Sequence, residues 1–245
     1  MPTIIVLVKQ VPDTNAKIVV SGNRVDLSMV KMVMSPYDEF AVETALQHKE
    51  ASGGEVIALT LGPADAEKIL KDAKAIGVDR IVRINAEHEM DSNAVQHVLS
   101  QAISQLGGDV VYCGKSAADT GAGSTGPGVA ERLGWPSASN IVSANFSSQL
   151  SVVCPSGSGH ARLNVPLPAV ISCDKGDFKV RKPNVKGIMD AKKATIEVLS
   201  IKAPSSTVTI ISHSMPPAKP AGKKYQGGAA AADVAKLLRD EANVI

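Results

Sequence analysis

The chain has 245 residues, of which 44% are apolar and 20% are charged, as expected for one globular domain with a short appendage. A net charge of +2 and an aromatic content of 3% argue against nucleic-acid binding, since neither a strong basic field nor stacking rings are available. Three cysteines without C-x-x-C spacing exclude a disulfide framework and favour a reducing compartment. No apolar run approaches the ~18 residues of a membrane span, and residues 1–10 read as a first strand. We therefore predict a cytoplasmic protein without a membrane span.

Strands and helices alternate over the first 136 residues. Apolar runs predict strands at 3–9, 55–61, 79–84 and 109–113, and Gly22-Asn23 predicts a small hairpin after the first strand. Ser35 is a helix N-cap candidate, Pro36 suits the first helical position, and Asp38 places an anion in the first turn. Further helices are expected up to Ile76, over 91–106 and up to Leu133. Such alternation predicts βαβ units and a parallel sheet.

The pattern of predicted elements changes from about residue 138. Short strands in NIVSANF, LSVVCP and PAVISC, separated by Ser/Gly turns, predict an antiparallel extension covering one edge of the sheet. Residues 203–232 are rich in Pro, Ala, Gly and Ser, and a terminal helix is expected from about Ala230 to Glu241. We predict an α/β domain at 1–202, with an open, mostly parallel sheet and helices on both faces, followed by a C-terminal arm at 203–245.

The segment GKSAADTGAGSTGPGVAERLGW (114–135) carries two phosphate-binding signatures. The Gly-Lys-Ser ending of a P-loop requires a glycine five residues earlier, and Asp109 occupies that position. The G-x-G-x-x-G pattern is expected directly after the first strand, with an acid about twenty residues later. Here it follows a late strand, and no acid lies near Asn140. Neither a triphosphatase nor a nicotinamide dehydrogenase is indicated.

A small-residue loop that leads into a helix still offers free N–H groups and a positive dipole end to an anion. In open α/β sheets, ligands lie beyond the carboxyl ends of the strands. Four such ends carry unusual residues, at 7–9, 35–38, 61–63 and 114–126. We predict one crevice that holds an adenosine against the first three and its phosphate on the fourth.

These segments resemble the β subunit of electron transfer flavoproteins, including nitrogen-fixation-associated and electron-bifurcating members. The resemblance covers essentially the whole chain. It rests on VLVKQVPDT (6–14), SPYDEFAVETAL (35–46), ALTLGP (58–63), GVDR (77–80), the loop at 114–136, LPAVISCD (167–174), GIMDAKKATIEVL (187–199) and AADVAKLL (231–238). The group within the family stays open, because VKQVPDT looks like the bifurcating members and the helix SPYDEFAVETAL looks like the ordinary ones.

The resemblance implies an adenine-nucleotide-binding α/β fold, a larger α subunit as partner, and an FAD shared with that partner. This subunit itself would hold AMP or, in bifurcating members, a second FAD. It would be an electron carrier rather than a self-contained enzyme. Its C-terminal arm would pack on the α subunit. Carried over by position, the nucleotide contacts are Leu7, Lys9, Ser35, Pro36, Tyr37, Asp38, Leu61, Gly62, Gly114, Lys115, Ser116, Ala117, Ala118, Asp119, Thr120, Gly121, Ala122, Gly123, Ser124 and Thr125.

The resemblance also implies a loop that grips flavin dehydrogenases, such as acyl-CoA dehydrogenases, through an apolar anchor among lysines. The matching residues are Val185, Lys186, Ile188, Met189, Lys192 and Lys193, with Val185 where a leucine is common and Lys186 where a proline is common. The loop at 114–126 also departs from the family, since Thr120 and Gly121 replace acids and Ser124 replaces a glutamine.

An alternative from another class is a stand-alone adenine-nucleotide-binding module of the same superfamily, for which the C-terminal arm has no evident use. The five histidines, His48, His88, His97, His160 and His213, show no metal-ligand spacing and are interpreted as solvated or capping residues.

Overall fold

The computed structural model describes residues 1–86, 90–146, 149–219 and 221–245. In those residues the strands are β1 (Thr3–Leu7), β2 (Gln10–Pro12), β3 (Val19–Ser21), β4 (Arg24–Asp26), β5 (Met32–Met34), β6 (Glu55–Gly62), β7 (Arg80–Asn85), β8 (Val110–Gly114), β9 (Ser137–Ile141), β10 (Ser143–Asn145), β11 (Leu150–Ser156), β12 (Gly159–Val165), β13 (Ala169–Cys173) and β14 (Glu197–Leu199). The α-helices there are α1 (Pro36–Ser52), α2 (Glu67–Ala75), α3 (Ser92–Leu106), α4 (Thr125–Leu133), α5 (Val185–Lys193) and α6 (Ala231–Asp240), and 3-10 turns cover Ala64–Ala66 and Gly228–Ala230.

Within the described ranges, seven strands form one sheet in the order β14-β7-β6-β1-β8-β13-β9. Every neighbouring pair in this sheet is parallel. The apolar runs that predicted buried strands therefore occupy the centre, where a parallel strand is covered on both faces. The α/β fold class is confirmed.

Two hydrophobic cores lie on opposite faces of the sheet because successive side chains of a strand point to opposite sides. Ile4 and Val6 of β1 belong to the core that α1, α2 and the antiparallel strand β11 cover. Ile5 and Leu7 belong to the core that α3 and α4 cover. Helices therefore cover both faces of the sheet, and the candidate site lies at the edge formed by the carboxyl ends of its strands.

The predicted antiparallel extension is smaller than expected. Strands β10, β11 and β12 form a separate antiparallel sheet over residues 143–165. The segment PAVISC was wrongly assigned to this extension, because β13 pairs in parallel with β8 and β9 inside the main sheet. All five residues of β13 are buried. A continuous apolar run of this kind is typical of a strand covered on both faces.

Beyond β14 the chain loses regular structure. From residue 200 to 219 and from 221 to 227 no helix or strand is formed, and most side chains are exposed. The terminal helix is confirmed as α6, while the division of the chain at residue 202 stays a prediction. None of the helices in the described ranges is long and apolar enough to cross a bilayer.

Candidate functional site

The sheet reverses its strand order at β1. From β1 the chain adds β6 and β7 on one side and then crosses to place β8 on the other. Ligands of open α/β proteins bind beyond the carboxyl ends of the strands at such a reversal. A crevice opens at this point, with about 890 Å³ of empty space including its solvent-filled mouth.

Most of the predicted nucleotide contacts converge on this crevice. Its lining includes Leu7, Lys9, Asp38, Leu61, Gly114, Lys115, Ser116, Ala117, Thr120, Ala122, Gly123 and Thr125. The remaining predicted contacts do not line it, namely Ser35, Pro36, Tyr37, Gly62, Ala118, Asp119, Gly121 and Ser124. The binding role of both groups stays a prediction, but the sequence interpretation brought together segments that are up to 118 residues apart along the chain.

One wall of the crevice was missed in the sequence. Met90, Ser92, Val95 and Leu99 line it from the start and inner face of α3. Ser92, Val95 and Leu99 are spaced three and four residues apart, so they share one face of the helix. That spacing was visible in the sequence. The sequence did not show, however, that this face of α3 borders the crevice beside the loop at 114–126 and is not wholly packed in the core.

Asp38 joins the ends of β1 and β8. Its carboxylate accepts the Lys9 N–H at 2.8 Å and the Gly114 N–H at 3.0 Å, one on each oxygen. The residue is 6% exposed. Burial raises the pKa of Asp38 to about 7, against the opposing effect of these two hydrogen bonds. A Cβ on Gly114 would overlap Asp38 and the Tyr37 backbone, so this junction requires glycine there.

The prediction that the Ser35 side chain caps α1 is wrong. Pro36 does begin α1, but the Ser35 hydroxyl makes no cap bond. It accepts the N–H of Ala118 at 3.3 Å instead, and so it holds the loop beyond β8. The first turn of α1 is therefore bound to the glycine-rich loop through both Ser35 and Asp38.

The loop presents backbone donors to the crevice. Gly121 and Gly123 have φ values of +62° and +63°, in the left-handed region that favours glycine. Ser124 makes no side-chain cap bond to α4, and the first N–H groups of a helix lack intrahelical acceptors. Among the residues described, no acceptor bonds the N–H groups of residues 122–126. Free donors at a helix N-terminus make an anion site.

The lysines beside the loop already have anionic partners. Lys9 Nζ lies 2.6 Å from Asp119 Oδ2, and Lys115 Nζ lies 2.9 Å from Asp174 Oδ2. Lys115 also stands 4.6 Å from the ring centre of Tyr37. The Asp174 hydrogen bond raises the pKa of Lys115 above its ordinary value. Lys115 is therefore not placed as a P-loop lysine, and an anion at the predicted site would be bound by the backbone donors of the loop.

The sequence model of one protein family, the electron transfer flavoprotein domain, matches residues 24–204 of this chain. The chain belongs to the electron transfer flavoprotein family. It is 32% identical over 253 residues to the electron transfer flavoprotein subunit beta of Bacillus subtilis (strain 168), with 98% of each chain covered. The family resemblance seen in the sequence is confirmed.

Relatives of this electron transfer flavoprotein chain include differently named proteins. The acryloyl-CoA reductase electron transfer subunit gamma of Anaerotignum propionicum is 34% identical over 209 residues, covering 82% of this chain and 78% of that protein. Protein FixA of Sinorhizobium fredii (strain NBRC 101917 / NGR234) is 31% identical over 205 residues, covering 79% and 72%. Because identity to these relatives and to the B. subtilis β subunit is nearly equal, it does not assign this chain to one group.

In this electron transfer flavoprotein chain the predicted docking segment is a helix and not a loop. Asn184 caps α5 by accepting the Gly187 N–H at 2.8 Å. A Cβ on Gly187 would overlap the Ala75 carbonyl, so glycine allows α5 to pack closely on the end of α2. Val185 is 76% exposed, and Ile188 and Met189 are also exposed. The lysines predicted for this segment, Lys186, Lys192 and Lys193, are exposed on the same short helix.

The segment before α5 is fixed to α1. Arg181 donates to both oxygens of Glu43 at 2.8 and 2.9 Å and also reaches Glu50. Burial acts to raise the pKa of Glu43, but the hydrogen bonds from Arg181 outweigh it and hold that pKa below its ordinary value. Phe178 packs edge-on against Phe40, with ring centres 5.8 Å apart. Helix α1 thus contacts the glycine-rich loop at its start and the segment before α5 along its length.

One histidine departs from the solvated role expected of it. His48 is buried, its Nδ1 lies 2.9 Å from the Tyr112 hydroxyl, and its ring stacks on Phe146. Burial lowers the pKa of His48. His88 lies outside the described residues. Within the described ranges no group of three or more His, Cys, Asp or Glu side chains is placed to hold a metal ion.

Proposed function

We propose that this chain is the small subunit of a heterodimeric electron transfer flavoprotein that carries electrons on FAD between flavin dehydrogenases and an acceptor. It would hold AMP or a second FAD in the crevice at the strand-order reversal. The observation that carries the proposal is the combination, in one crevice, of an apolar wall with backbone N–H groups that have no acceptor among the described residues. Family membership adds the α subunit as the partner.

The residues of the crevice fit an adenine nucleotide. Leu61, Val95 and Leu99 offer apolar surface for a base. Gly123 and Thr125 also line the crevice and belong to the loop whose N–H groups have no acceptor among the described residues, at a helix N-terminus whose dipole favours a phosphate.

The flavin, when bound, supplies the redox chemistry, and the protein supplies binding, orientation and electrostatics. In this chain Asp38 and Ser35 hold the loop against α1, so that the backbone donors are ordered before a nucleotide binds. An ordered site loses less conformational entropy on binding. We therefore assign this chain a positioning role rather than catalysis of its own.

The docking helix α5 fits a transient partner such as an acyl-CoA dehydrogenase. Val185, Ile188 and Met189 provide a small exposed apolar surface beside Lys186 and Lys192. A small contact with charged neighbours gives fast association and fast release, which an electron carrier needs. An acidic rim around an apolar pocket is the partner chemistry that this surface favours.

The C-terminal arm fits a permanent partner. Ile211 is 88% exposed, and Leu238 of α6 is also exposed. We propose that residues 203–245 pack on the α subunit. A chain that ends at Ser205 keeps Ile201 and Ala203, which pack against the core, and so it should stay folded while losing the heterodimer.

The test is co-expression of this chain with the α subunit of the same organism. The expected product is a yellow heterodimer with flavin absorbance near that of free FAD, while the chain ending at Ser205 elutes separately from the α subunit. A full chain that elutes alone and colourless refutes the proposal. If that colourless monomer still binds AMP in a titration, the stand-alone nucleotide-binding module replaces it.

A further inference from the structure

Asp91 stands between two residues of the crevice wall. Met90 and Ser92, its neighbours along the chain, both line the crevice. One carboxylate oxygen of Asp91 accepts the Ala94 N–H at 2.8 Å and so caps α3. Because α3 forms that wall, the position of Asp91 and the position of the wall are set together.

The other oxygen of Asp91 holds the root of the C-terminal arm. It accepts the Thr207 N–H at 2.5 Å, the Thr207 hydroxyl at 2.9 Å and the Val208 N–H at 3.1 Å. The Asp91 N–H in turn lies 3.3 Å from the Ser206 hydroxyl oxygen. Most described side chains after Val208 are exposed, although the His213 N–H reaches the Asn23 carbonyl at 3.0 Å, so the Asp91 contacts fix the root of the arm.

We propose that Asp91 is a positioning residue that couples a nucleotide in the crevice to the placement of the C-terminal arm. This inference rests on the nucleotide site proposed above. Since one carboxylate serves both elements, an ordered wall favours an ordered arm root, and the reverse holds by linkage. The coupling runs through contacts within this chain, and an arm that packs on the α subunit would carry it to that partner.

The carboxylate form is the one that makes these contacts. The Ala94 N–H, followed by the Thr207 donors, lowers the pKa of Asp91 to about 2. Asp91 is therefore ionised throughout the neutral range and accepts all of these bonds there. Hydrogen bonds to a charged acceptor are stronger than neutral ones.

Replacement of Asp91 by serine separates its two roles. Serine caps helices about as well as aspartate, since its hydroxyl reaches the N–H three residues later. It has no second oxygen for the arm. Asp91→Ser should therefore keep the α3 cap and release Thr207 and Val208, whereas Asp91→Ala should lose both. Thr207→Val, which removes only the hydroxyl bond, should give a smaller release than Asp91→Ser.

The experiment combines amide hydrogen exchange of the full chain with calorimetric titration of AMP and FAD. In the wild type, exchange at Thr207 and Val208 should slow several-fold when nucleotide saturates. In Asp91→Ser, exchange of these two amides should be about tenfold faster, because both lose the carboxylate oxygen that accepts them. Exchange at Ala94 should stay unchanged, and the nucleotide should bind several-fold more weakly.

Each other outcome counts against the coupling. Equal exchange at Thr207 and Val208 in the wild type and Asp91→Ser shows that Asp91 does not hold the arm. Faster exchange with unchanged nucleotide affinity shows a merely structural contact and overturns the proposal. If the wild type binds neither AMP nor FAD, the nucleotide site itself fails, a result that is distinguishable because Asp91→Ser would still release the arm.

Discussion

The substitution Asp38→Asn probes the junction between the glycine-rich loop and the end of β1. The change keeps the shape of the side chain but replaces one oxygen by an NH2 group. Both oxygens of Asp38 accept backbone N–H groups, from Lys9 and Gly114, so one of these donors would face another donor. A buried donor without an acceptor costs about 1–3 kcal/mol of stability.

The pH dependence of this cost has a definite sign. The pKa of Asp38 is raised from 3.8 to about 7, so the folded state binds this proton more tightly than the unfolded state. The stability that Asp38 contributes is fully present below pH 3.8 and is lost as the pH rises through 7. About three pH units at ~1.36 kcal/mol each amount to ~4 kcal/mol, of which ~3 kcal/mol is lost between pH 5 and pH 8.

Urea denaturation of the wild type and Asp38→Asn between pH 5 and pH 8 measures this loss. The free energy of unfolding of the wild type, relative to that of Asp38→Asn, should fall by ~3 kcal/mol across the range, enough to cancel or reverse the initial difference of about 1–3 kcal/mol, because the variant lacks the titrating group. Asp177→Asn, at an exposed carboxylate, is the control for replacing a carboxylate by an amide, and at pH 7 its free energy of unfolding should lie within about 0.5 kcal/mol of that of the wild type. A constant Asp38→Asn difference would mean that Asp38 is ionised throughout, and our account of its burial would be wrong.

Three further predictions concern the loop and the docking segment. Gly123→Ala and Gly121→Ala should each lower the free energy of unfolding by about 1–2 kcal/mol, because both positions require positive φ. Calorimetry should nevertheless show weaker AMP binding only for Gly123→Ala, since Gly123 lines the crevice and Gly121 does not. Equal losses of AMP affinity in the two variants would contradict the role proposed for the loop. Arg181→Met should cost about 1–3 kcal/mol in urea denaturation, because the Glu43 carboxylate loses its charged partner and keeps the hydrogen bonds from Gln47 and from the backbone N–H of residue 181, and a second change Glu43→Gln should recover much of it. Val185→Asp should slow electron transfer with a dehydrogenase in stopped-flow measurements without loss of flavin, and an unchanged rate would remove α5 as the docking site.

The parallel sheet was predictable because its strands are short apolar runs between helical segments. Most residues of the strands at 3–7, 55–62 and 110–114 are buried, and apolar side chains predominate in them because a parallel strand is covered on both faces. Strand β13 has the same character, but it lies among the turns of the antiparallel strands and was grouped with them. The local sequence could not show that the chain returns from β12 to the main sheet, because the pairing of β13 with β8 is a long-range contact.

The parts of the site that lie at strand ends could be predicted from the sequence. The parts that depend on the orientation of a helix could not. The loop at 114–126 and Asp38 follow from the rule that ligands lie beyond the carboxyl ends of strands. The contribution of α3 and the junction of Asp91 with Thr207 depend on how distant segments pack. In the sequence Asp91 is simply the first residue of the helix predicted over 91–106, and its link to the arm could not be predicted because Thr207 and Val208 lie 116 and 117 residues away.

The central claim is that the crevice of this chain holds an adenine nucleotide of its own. Acid extraction of the purified heterodimer, with FAD and AMP quantified by mass spectrometry, tests it most directly. We predict, in addition to the FAD shared with the α subunit, one further adenine nucleotide per heterodimer, either AMP or a second FAD. A heterodimer that contains one FAD and no other adenine nucleotide would contradict the account.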